Sequence, residues 1–224
     1  MHSTDLHFQR KHFDWLWQQR NSVDVICLTG DFLDPSSFAP EPIPIQMEWI
    51  KNWISRFDTP LFICSGKHDV IGKDEYNASI ESYSSDAYDE EEFIEYEKSF
   101  DTAWLKSFGN TSILTDGGYK EFNGLTFGSI GYGEFNFSRF KHCDVILTHL
   151  PPANTRVSKE IGGETFGCEK ILRALKNKSI SPKYLLSGHV NKPILTLDKL
   201  NSTWLSNPGS NSSGETPSFR IIEL

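Results

Sequence analysis

The sequence lacks any long hydrophobic run. None of its apolar stretches approaches the roughly 18 residues that a membrane-spanning helix needs, and no signal-peptide pattern follows Met1. Its four cysteines include no C-x-x-C pair, which argues against a zinc site built from them. Because Cys27, Cys64 and Cys143 lie in or beside apolar runs, we expect buried thiols rather than disulfides, in a protein of the reducing cytoplasm that does not engage a membrane.

Positive charge is also scarce. The chain has 22 lysines and arginines against 30 acids, and its formal net charge is -8. Residues 74–101 hold eleven acids and a single base, Lys98, so this segment carries -10 and the rest of the chain +2. Since general nucleic-acid binding requires basic patches, we expect no footprint of that kind. The acidic segment has two interpretations, a solvated helix face or a lid over the loop that precedes it.

Hydrophobic periodicity predicts the fold. The pattern over the first 64 residues is β-α-β-α-β, which implies parallel strands joined by right-handed crossovers. The predicted strands are 1–4, 23–28 and 61–64, and the predicted helices are 8–20 and 45–57. A loop with four prolines, 35–44, precedes the second helix, and short strands follow from residue 112 onward. We therefore predict an α/β (α+β) fold, a β-sandwich flanked by helices, with βαβ units at the N-terminus. At 224 residues we expect one domain, with an acidic insertion at about 73–108.

Acidic and imidazole side chains follow five of the predicted strands, at the point where each strand ends. The five segments are Asp5-Leu6-His7, Gly30-Asp31-Phe32-Leu33-Asp34, Gly66-Lys67-His68-Asp69, Thr148-His149 and Gly188-His189-Val190-Asn191. Open α/β sheets build their sites at such strand ends. Burying the four histidines and four aspartates of these segments without partners would be expensive, and divalent cations would satisfy them. Mixed carboxylate and imidazole ligands suit Mn, Fe or Zn better than Mg or Ca. The other histidines, His2, His12 and His142, we interpret as structural or surface residues.

In this order the segments resemble the calcineurin-like metallophosphoesterase family, whose pattern runs Asp-x-His, Gly-Asp-x-x-Asp, Gly-Asn-His-Asp/Glu, His, Gly-His-x-His. The resemblance spans Asp5 to Asn191. It implies a fold of the sandwich type predicted above and up to two divalent ions per chain. It also implies a phosphoester substrate, a phosphate mono- or diester that is hydrolysed by metal-activated water.

The resemblance also implies roles for individual positions. The first metal would be held by Asp5, His7, Asp31 and Asn191, and the second by Asp31, His149 and His189. Asp31 would bridge the two ions. His68 would be the general acid that serves the leaving oxygen, and Asp34 would orient it and favour its charged form.

Two positions depart from the family pattern. Asn191 stands where the family has a histidine, and its amide oxygen is a weaker ligand than imidazole. Lys67 stands where the family has an asparagine, and a protonated lysine has no lone pair for a metal. Lys67 therefore predicts a weakened second site, unless its ammonium takes over part of the second ion's work by neutralising phosphate charge. The alternative is a catalytically weakened or silent scaffold that binds proteins through the acidic segment or an aromatic patch.

The sequence leaves the substrate and the oligomeric state open. In this family the substrate is selected by loops, which here are 35–44, 73–90, 132–140 and 153–163. Several aromatic residues near these loops would either line a substrate groove or belong to the core, namely Trp104, Phe108, Tyr132 and residues 135–137.

Overall fold

Two β-sheets packed face to face form the centre of the computed structural model, which describes residues 1–36, 38–70, 104–106, 108, 111–163 and 165–224. The predicted acidic insertion, including its interpretation as a lid, lies almost entirely outside the described residues. Within the described ranges, no helix combines the length and the apolar character that crossing a membrane requires.

The first sheet comes mainly from the N-terminal part of the chain. Its strands are β1 (His2–Ser3), β2 (Ile26–Thr29), β3 (Leu61–Cys64), β4 (Ile113–Leu114) and β11 (Phe219–Arg220), in the order β11-β1-β2-β3-β4. β1 to β4 are parallel, and β11 pairs antiparallel with β1. Helices α1 (Arg10–Gln19) and α2 (Ile43–Ser55) connect the parallel strands, as the β-α-β-α-β pattern predicted.

The second sheet is built from the rest of the chain. Its strands are β5 (Tyr119–Phe122), β6 (Leu125–Ile130), β7 (Val145–Thr148), β8 (Tyr184–Leu186), β9 (Leu197–Leu200) and β10 (Thr203–Ser206), in the order β5-β6-β7-β8-β10-β9. β6, β7, β8 and β10 are parallel, whereas the outer strands β5 and β9 are antiparallel to their neighbours. Helix α3 (Glu169–Lys176) lies between β7 and β8 in the chain.

Alternating side chains divide the core into layers. Successive residues of a strand point to opposite faces, so Ile26 and Leu28 of β2 pack with α1 and α2, whereas Cys27 faces the second sheet. Between the sheets, the ring of Phe62 meets that of Phe127 with centroids 4.9 Å apart. The outer face of the second sheet packs against α3. The result is a sandwich of two sheets with helices on both outer faces, which confirms the predicted fold class.

The element boundaries differ slightly from the predictions. Helix α2 begins at Ile43, two residues earlier than expected, with a proline in its first turn. Proline is tolerated there because the first N–H groups of a helix have no intrahelical partner in any case. The prediction that the whole of 35–44 is loop was therefore wrong at its end. Strand β9 spans the residues that pair antiparallel with β10, from Leu197 opposite Ser206 to Leu200 opposite Thr203.

Candidate metal centre

The strand ends that carry acidic and imidazole groups meet at one edge of the sandwich. Hydrogen bonds join neighbouring segments within each sheet: the His7 N–H donates to the Asp31 carbonyl at 2.9 Å, and the Gly188 N–H donates to the His149 carbonyl at 2.8 Å. The bond from the His189 N–H to Oδ2 of Asp5, at 3.0 Å, is among those that cross between the sheets. The edge is therefore one assembly to which both sheets contribute.

The backbone turns sharply at the residues that point into this edge. Asp5, His7, Asp31 and His189 all have positive φ angles, of 53°, 42°, 54° and 71°. Such left-handed conformations cost roughly 1–3 kcal/mol each for residues other than glycine, and they cluster at functional sites. The turns end the strands and direct the chain across the edge of the sandwich.

Two glycines allow the loops after β2 and β3 to touch. A Cβ atom built on Gly30 would overlap the backbone of Gly66, and one built on Gly66 would overlap both the backbone nitrogen and the carboxylate of Asp31. Because neither residue has a side chain, the loops approach closely enough for the His68 N–H to donate to Oδ1 of Asp31 at 2.8 Å. The close approach thus places His68 beside the carboxylate.

Asp31 belongs to two groups of candidate ligands at once. The ligand atoms of His7, Asp31 and His68 all lie within 4.8 Å of one another, and the same holds for Asp31, His149 and His189. We call these the open group and the buried group. His7 and His68 in the open group are partly exposed, whereas His149 in the buried group is fully covered. A carboxylate shared by two such groups has the position expected of a bridging ligand.

The environment of His149 fits a metal ion. Its Nδ1 bonds to the Thr29 carbonyl at 2.8 Å, which fixes the ring orientation and leaves Nε2 facing Asp31. Nε2 is buried and makes no hydrogen bond to a described residue, although Oδ2 of Asp31 lies 3.3 Å away. Buried polar atoms are nearly always satisfied, and metal-ligating histidines commonly use their second nitrogen in this way. A divalent cation between these atoms would satisfy both.

The pKa values of Asp31, His149 and His189 are all shifted by burial and by one another's charges. Burial opposes ionisation of the Asp31 carboxyl, but His149 and His68 outweigh it and hold its pKa below the usual range. Burial likewise opposes a charged His149, yet Asp31 and Asp5 raise the pKa of His149 to about 9. Burial and the neighbouring His149 lower the pKa of His189 to about 4, which keeps it in the neutral form that binds metals.

The buried group contains the three residues that were predicted for the second metal. The open group contains two of the residues predicted for the first metal, together with His68, which was predicted as the general acid. Asp5 is buried next to the open group: Oδ1 lies 4.0 Å from Nε2 of His7, and Oδ2 accepts a hydrogen bond from the Thr4 hydroxyl at 2.6 Å.

The two positions that depart from the family pattern lie at the rim. Asn191 is exposed, and its backbone carbonyl accepts a hydrogen bond from the Ser210 N–H at 2.9 Å. Lys67 is also exposed, but its positive charge affects the pKa of two histidines of the centre. Burial is the main cause of the lowered pKa of His68 and of His189, and the charge of Lys67 lowers both further.

Asp34 lies in a different environment from the one predicted. Its carboxylate accepts a hydrogen bond from the Ser36 N–H at 3.0 Å, and its backbone N–H and carbonyl both bond to the side chain of Gln46 on α2. Among the described residues, no hydrogen bond joins Asp34 to His68. The carboxylate next to His68 is instead that of Asp31, 3.8 Å from Nε2.

Asp69 has a role that the sequence did not reveal. Its fully buried carboxylate accepts hydrogen bonds from the N–H groups of Phe32 and Leu33 through Oδ1 and from that of Gly66 through Oδ2, at 2.8–3.1 Å. It thereby ties the loop after β2 to the loop after β3. Its place within Gly66-Lys67-His68-Asp69 was the only signal in the sequence.

His2 and Thr29 support the buried group from below. The fully buried His2 ring bonds through Nδ1 to the Ser206 hydroxyl at 2.9 Å and through Nε2 to the Thr29 hydroxyl at 3.0 Å. The carbonyl of the same Thr29 bonds to His149. The expectation that His2 is structural agrees with this position, but the chain of contacts from β10 to His149 could not be read from the sequence.

The turn after β10 holds the loop that carries His189. The Asn207 amide donates to the carbonyls of Val157, Gly188 and Val190, and the hydroxyl of Ser210 donates to the Asp5 carbonyl at 3.2 Å. This turn, at residues 207–210, therefore acts as structural support for the centre.

Comparisons with known proteins agree with this architecture. A family model described as calcineurin-like phosphoesterase matches residues 1–193, whereas no curated protein sequence matches the chain. One solved structure has a TM-score of 0.59 and 13% identity over 93% of this chain and 89% of that chain. GAP50, the anchor in the inner membrane complex of Plasmodium, has a TM-score of 0.50 and 15% identity over 96% of this chain and 73% of that chain. An archaeal phosphodiesterase has 13% identity and a TM-score of 0.41 over 93% and 81%. At such identities the first two structures show the fold alone. The family model covers most of the sequence, and the chain belongs to the calcineurin-like phosphoesterase family.

Proposed function

We propose that this chain is a metal-dependent phosphoesterase that hydrolyses a phosphate mono- or diester. The observation that carries the proposal is the position of Asp31, which is shared by two groups of candidate ligands. One group includes a buried imidazole nitrogen, Nε2 of His149, that makes no hydrogen bond to a described residue and lies 3.3 Å from Oδ2 of Asp31. Membership of the calcineurin-like phosphoesterase family supports phosphoester chemistry at this edge.

The residues present suit two divalent ions. One would be held by Asp5, His7 and Asp31, with the Asn191 amide oxygen as a neutral fourth ligand, and the other by Asp31, His149 and His189. Carboxylate and imidazole donors favour Mn, Fe or Zn. When bound, such ions polarise phosphoryl oxygens and lower the pKa of a water molecule.

His68 is placed to handle the proton of the leaving group. Its backbone is fixed on Asp31, while its side chain is 33% exposed and can reach a bound ester. As water adds to phosphorus and the ester bond breaks, the leaving oxygen takes a proton from the His68 imidazole. Burial lowers the pKa of the His68 imidazole, and the negative charge of Asp31 opposes that shift and so favours the protonated form that donates.

Lys67 would assist by charge alone. An ammonium near His68 and His189 can neutralise a phosphoryl oxygen as a point charge, although it cannot ligate a metal while protonated. The same charge opposes a cation at the buried group, so we propose that this second ion is held more weakly than the family pattern would hold it.

Metal analysis together with two generic substrates tests the proposal. The purified protein should contain or take up Mn, Fe or Zn, and should hydrolyse 4-nitrophenyl phosphate or bis(4-nitrophenyl) phosphate faster when Mn is added. The Asp31→Ala variant should do neither, whereas Asp198→Ala, which removes a carboxylate outside the centre, should behave like the parent. A parent chain that binds no metal and hydrolyses neither ester would show that the proposal is wrong.

A scaffold with weakened or no catalysis is the second candidate, and Lys67 is the observation that favours it. A lysine at a position where the family pattern has a metal-ligating asparagine removes one ligand and adds repulsion. Such a scaffold would bind other proteins and would show no dependence on metal, so the same metal analysis separates the two candidates.

We further propose that the protein works in a reducing compartment, the cytoplasm. All four cysteines are free, and Cys27, Cys64 and Cys143 are buried in the core, where a thiol serves as a small apolar side chain.

A further inference from the structure

A cavity of about 470 Å³ adjoins the metal centre on the side of the second sheet. Ser65, on its wall, directly precedes the Gly66–Asp69 loop, and its hydroxyl accepts a hydrogen bond from the Tyr132 N–H at 2.9 Å. The ring of Tyr132 lies across from His149, with centroids 6.0 Å apart. The cavity therefore begins where the centre ends, and its volume is in the range of small-molecule binding sites.

Two opposite charges converge on one wall of this cavity. A Cβ atom built on Gly117 would lie 3.7 Å from Nη1 of Arg139 and 3.9 Å from Oε2 of Glu134, so both charged ends reach the same glycine. Within the described part of the chain, no ion pair joins Arg139 to Glu134. The third charged residue on the wall, Asp116, is engaged in the structure, because its Oδ1 accepts a hydrogen bond from the Ser65 N–H at 2.8 Å.

The charged side chains on the cavity wall favour some chemical classes of occupant over others. A guanidinium is a planar fork of donors, and a carboxylate is an acceptor with two oxygens. A second phosphate would be attracted by Arg139 but repelled by Glu134 and Asp116, and a simple alkyl chain would use none of these groups. A purine base presents acceptors and donors on neighbouring edges: arginine pairs with O6 and N7 of guanine, and a carboxylate accepts from ring N–H groups.

We propose that this cavity binds the purine base of a nucleotide substrate, with Arg139 and Glu134 reading the base and Tyr132 bordering it. Guanine fits best, because it offers acceptors to Arg139 and two N–H donors to Glu134. The proposal rests on the phosphoesterase function proposed above and names the class of substrate: a phosphoester of a purine nucleoside, with the scissile phosphate at the metal centre.

Binding and hydrolysis together test this assignment. Calorimetry with Mn present should show that guanosine 5′-monophosphate binds more tightly than ribose 5-phosphate, which lacks the base. Arg139→Met and Glu134→Gln should each reduce that preference at least about tenfold, the order expected when a bidentate base contact is lost. Lys141→Met, which removes an exposed cation outside the cavity, is the matched control and should keep the preference. Bound metal per chain should equal that of the parent in all three variants, because none of the three residues is a proposed ligand.

The outcomes separate this proposal from the one on which it rests. Equal binding of the two phosphates by the parent, or a preference unchanged in both cavity variants, would overturn the base site even when bis(4-nitrophenyl) phosphate is hydrolysed. A parent that hydrolyses no ester but still prefers guanosine 5′-monophosphate in a way that depends on Arg139 would support the base site and refute the proposed catalysis.

Discussion

The open group and the buried group share Asp31 but are built differently. The open group, His7, Asp31 and His68, comes entirely from the first sheet, and its two imidazoles are 26% and 33% exposed. The buried group takes Asp31 from the first sheet but His149 and His189 from the second. One group therefore depends on a single sheet and its loops, whereas the other exists only because the two sheets pack together. On the proposed function, we expect substrate binding and proton transfer to occur at the open group, and metal binding at the buried group to depend on the packing of the two sheets.

The largest expected effect is that of Asp31→Ala, which should abolish metal binding at the open group and at the buried group together. Asp31→Ala removes the carboxylate that they share and the acceptor of the His68 N–H. We expect bound metal to fall to background, measured as metal per chain after dialysis against buffer without chelator. An unchanged stoichiometry would show that Asp31 is not a ligand and would remove the basis of the comparison.

Single imidazole deletions should separate the groups. His149→Ala should lose the ion of the buried group and also lower the melting temperature, because its ring bonds to Thr29 across the sheets. His7→Ala should lose the other ion with a smaller change in melting temperature, since its side chain is partly exposed. Metal content and thermal unfolding of both variants check this. Equal melting temperatures would mean that the buried group is not coupled to sheet packing.

His68→Ala tests whether His68 is an acid–base group or a metal ligand. We expect metal content to be retained and turnover to fall by about 10²–10⁴, the usual loss when an acid–base group is removed. Loss of metal instead would make His68 a ligand.

Asp34→Ala should be measured alongside His68→Ala, since the Asp34 carboxylate bonds to Ser36 and, among the described residues, not to His68. A fall in turnover equal to that of His68→Ala would indicate that the predicted pairing forms when substrate binds.

The two departures from the family pattern should have intermediate effects. Lys67→Asn adds a ligand and removes a repulsive charge, so it should raise metal occupancy at the buried group and increase phosphoesterase activity. Asn191→His should strengthen the open group to a smaller extent, and the double variant should exceed both. A parent chain that already holds two ions, with no response to either substitution, would show that Lys67 is not a weak point.

The smallest expected effect concerns His2, which supports the buried group. Burial lowers the pKa of His2 to about 3, so the unfolded chain binds a proton below about pH 6.5 that the folded chain rejects. Stability from this source is present above that pH and is lost as the pH falls towards 3. Between pH 7 and pH 5 the lost free energy of unfolding should be about 2 kcal/mol. Urea unfolding should show that His2→Gln lacks this loss, whereas His142→Gln, at an exposed position, should retain it.

The sequence predicted the strand ends well because apolar runs stop at the residues that turn away from the core. It also grouped Asp31, His149 and His189, which are far apart in the chain, and the structure brings their ligand atoms within 4.8 Å of one another. It did not predict the environment of Asp34, because that depends on Gln46 of α2, which clamps the Asp34 backbone from a neighbouring helix. It also missed the role of Asp69, whose partners Phe32 and Leu33 lie more than thirty residues away in sequence. Tertiary contacts of this kind leave no local periodicity.

The glycine contacts beneath the centre have a consequence for protein engineering. Gly30 and Gly66 leave no room for a side chain, and a Cβ atom on Gly188 would overlap Thr4 and Asp5, so each of these positions is constrained by another loop of the centre. Substitutions there should be selected against in any mutant library. The cavity residues at 132, 134 and 139 carry no such constraint from the glycine contacts. If the proposed base site is correct, a library that varies only these three positions should change the preferred substrate and leave the residues of the metal centre unchanged.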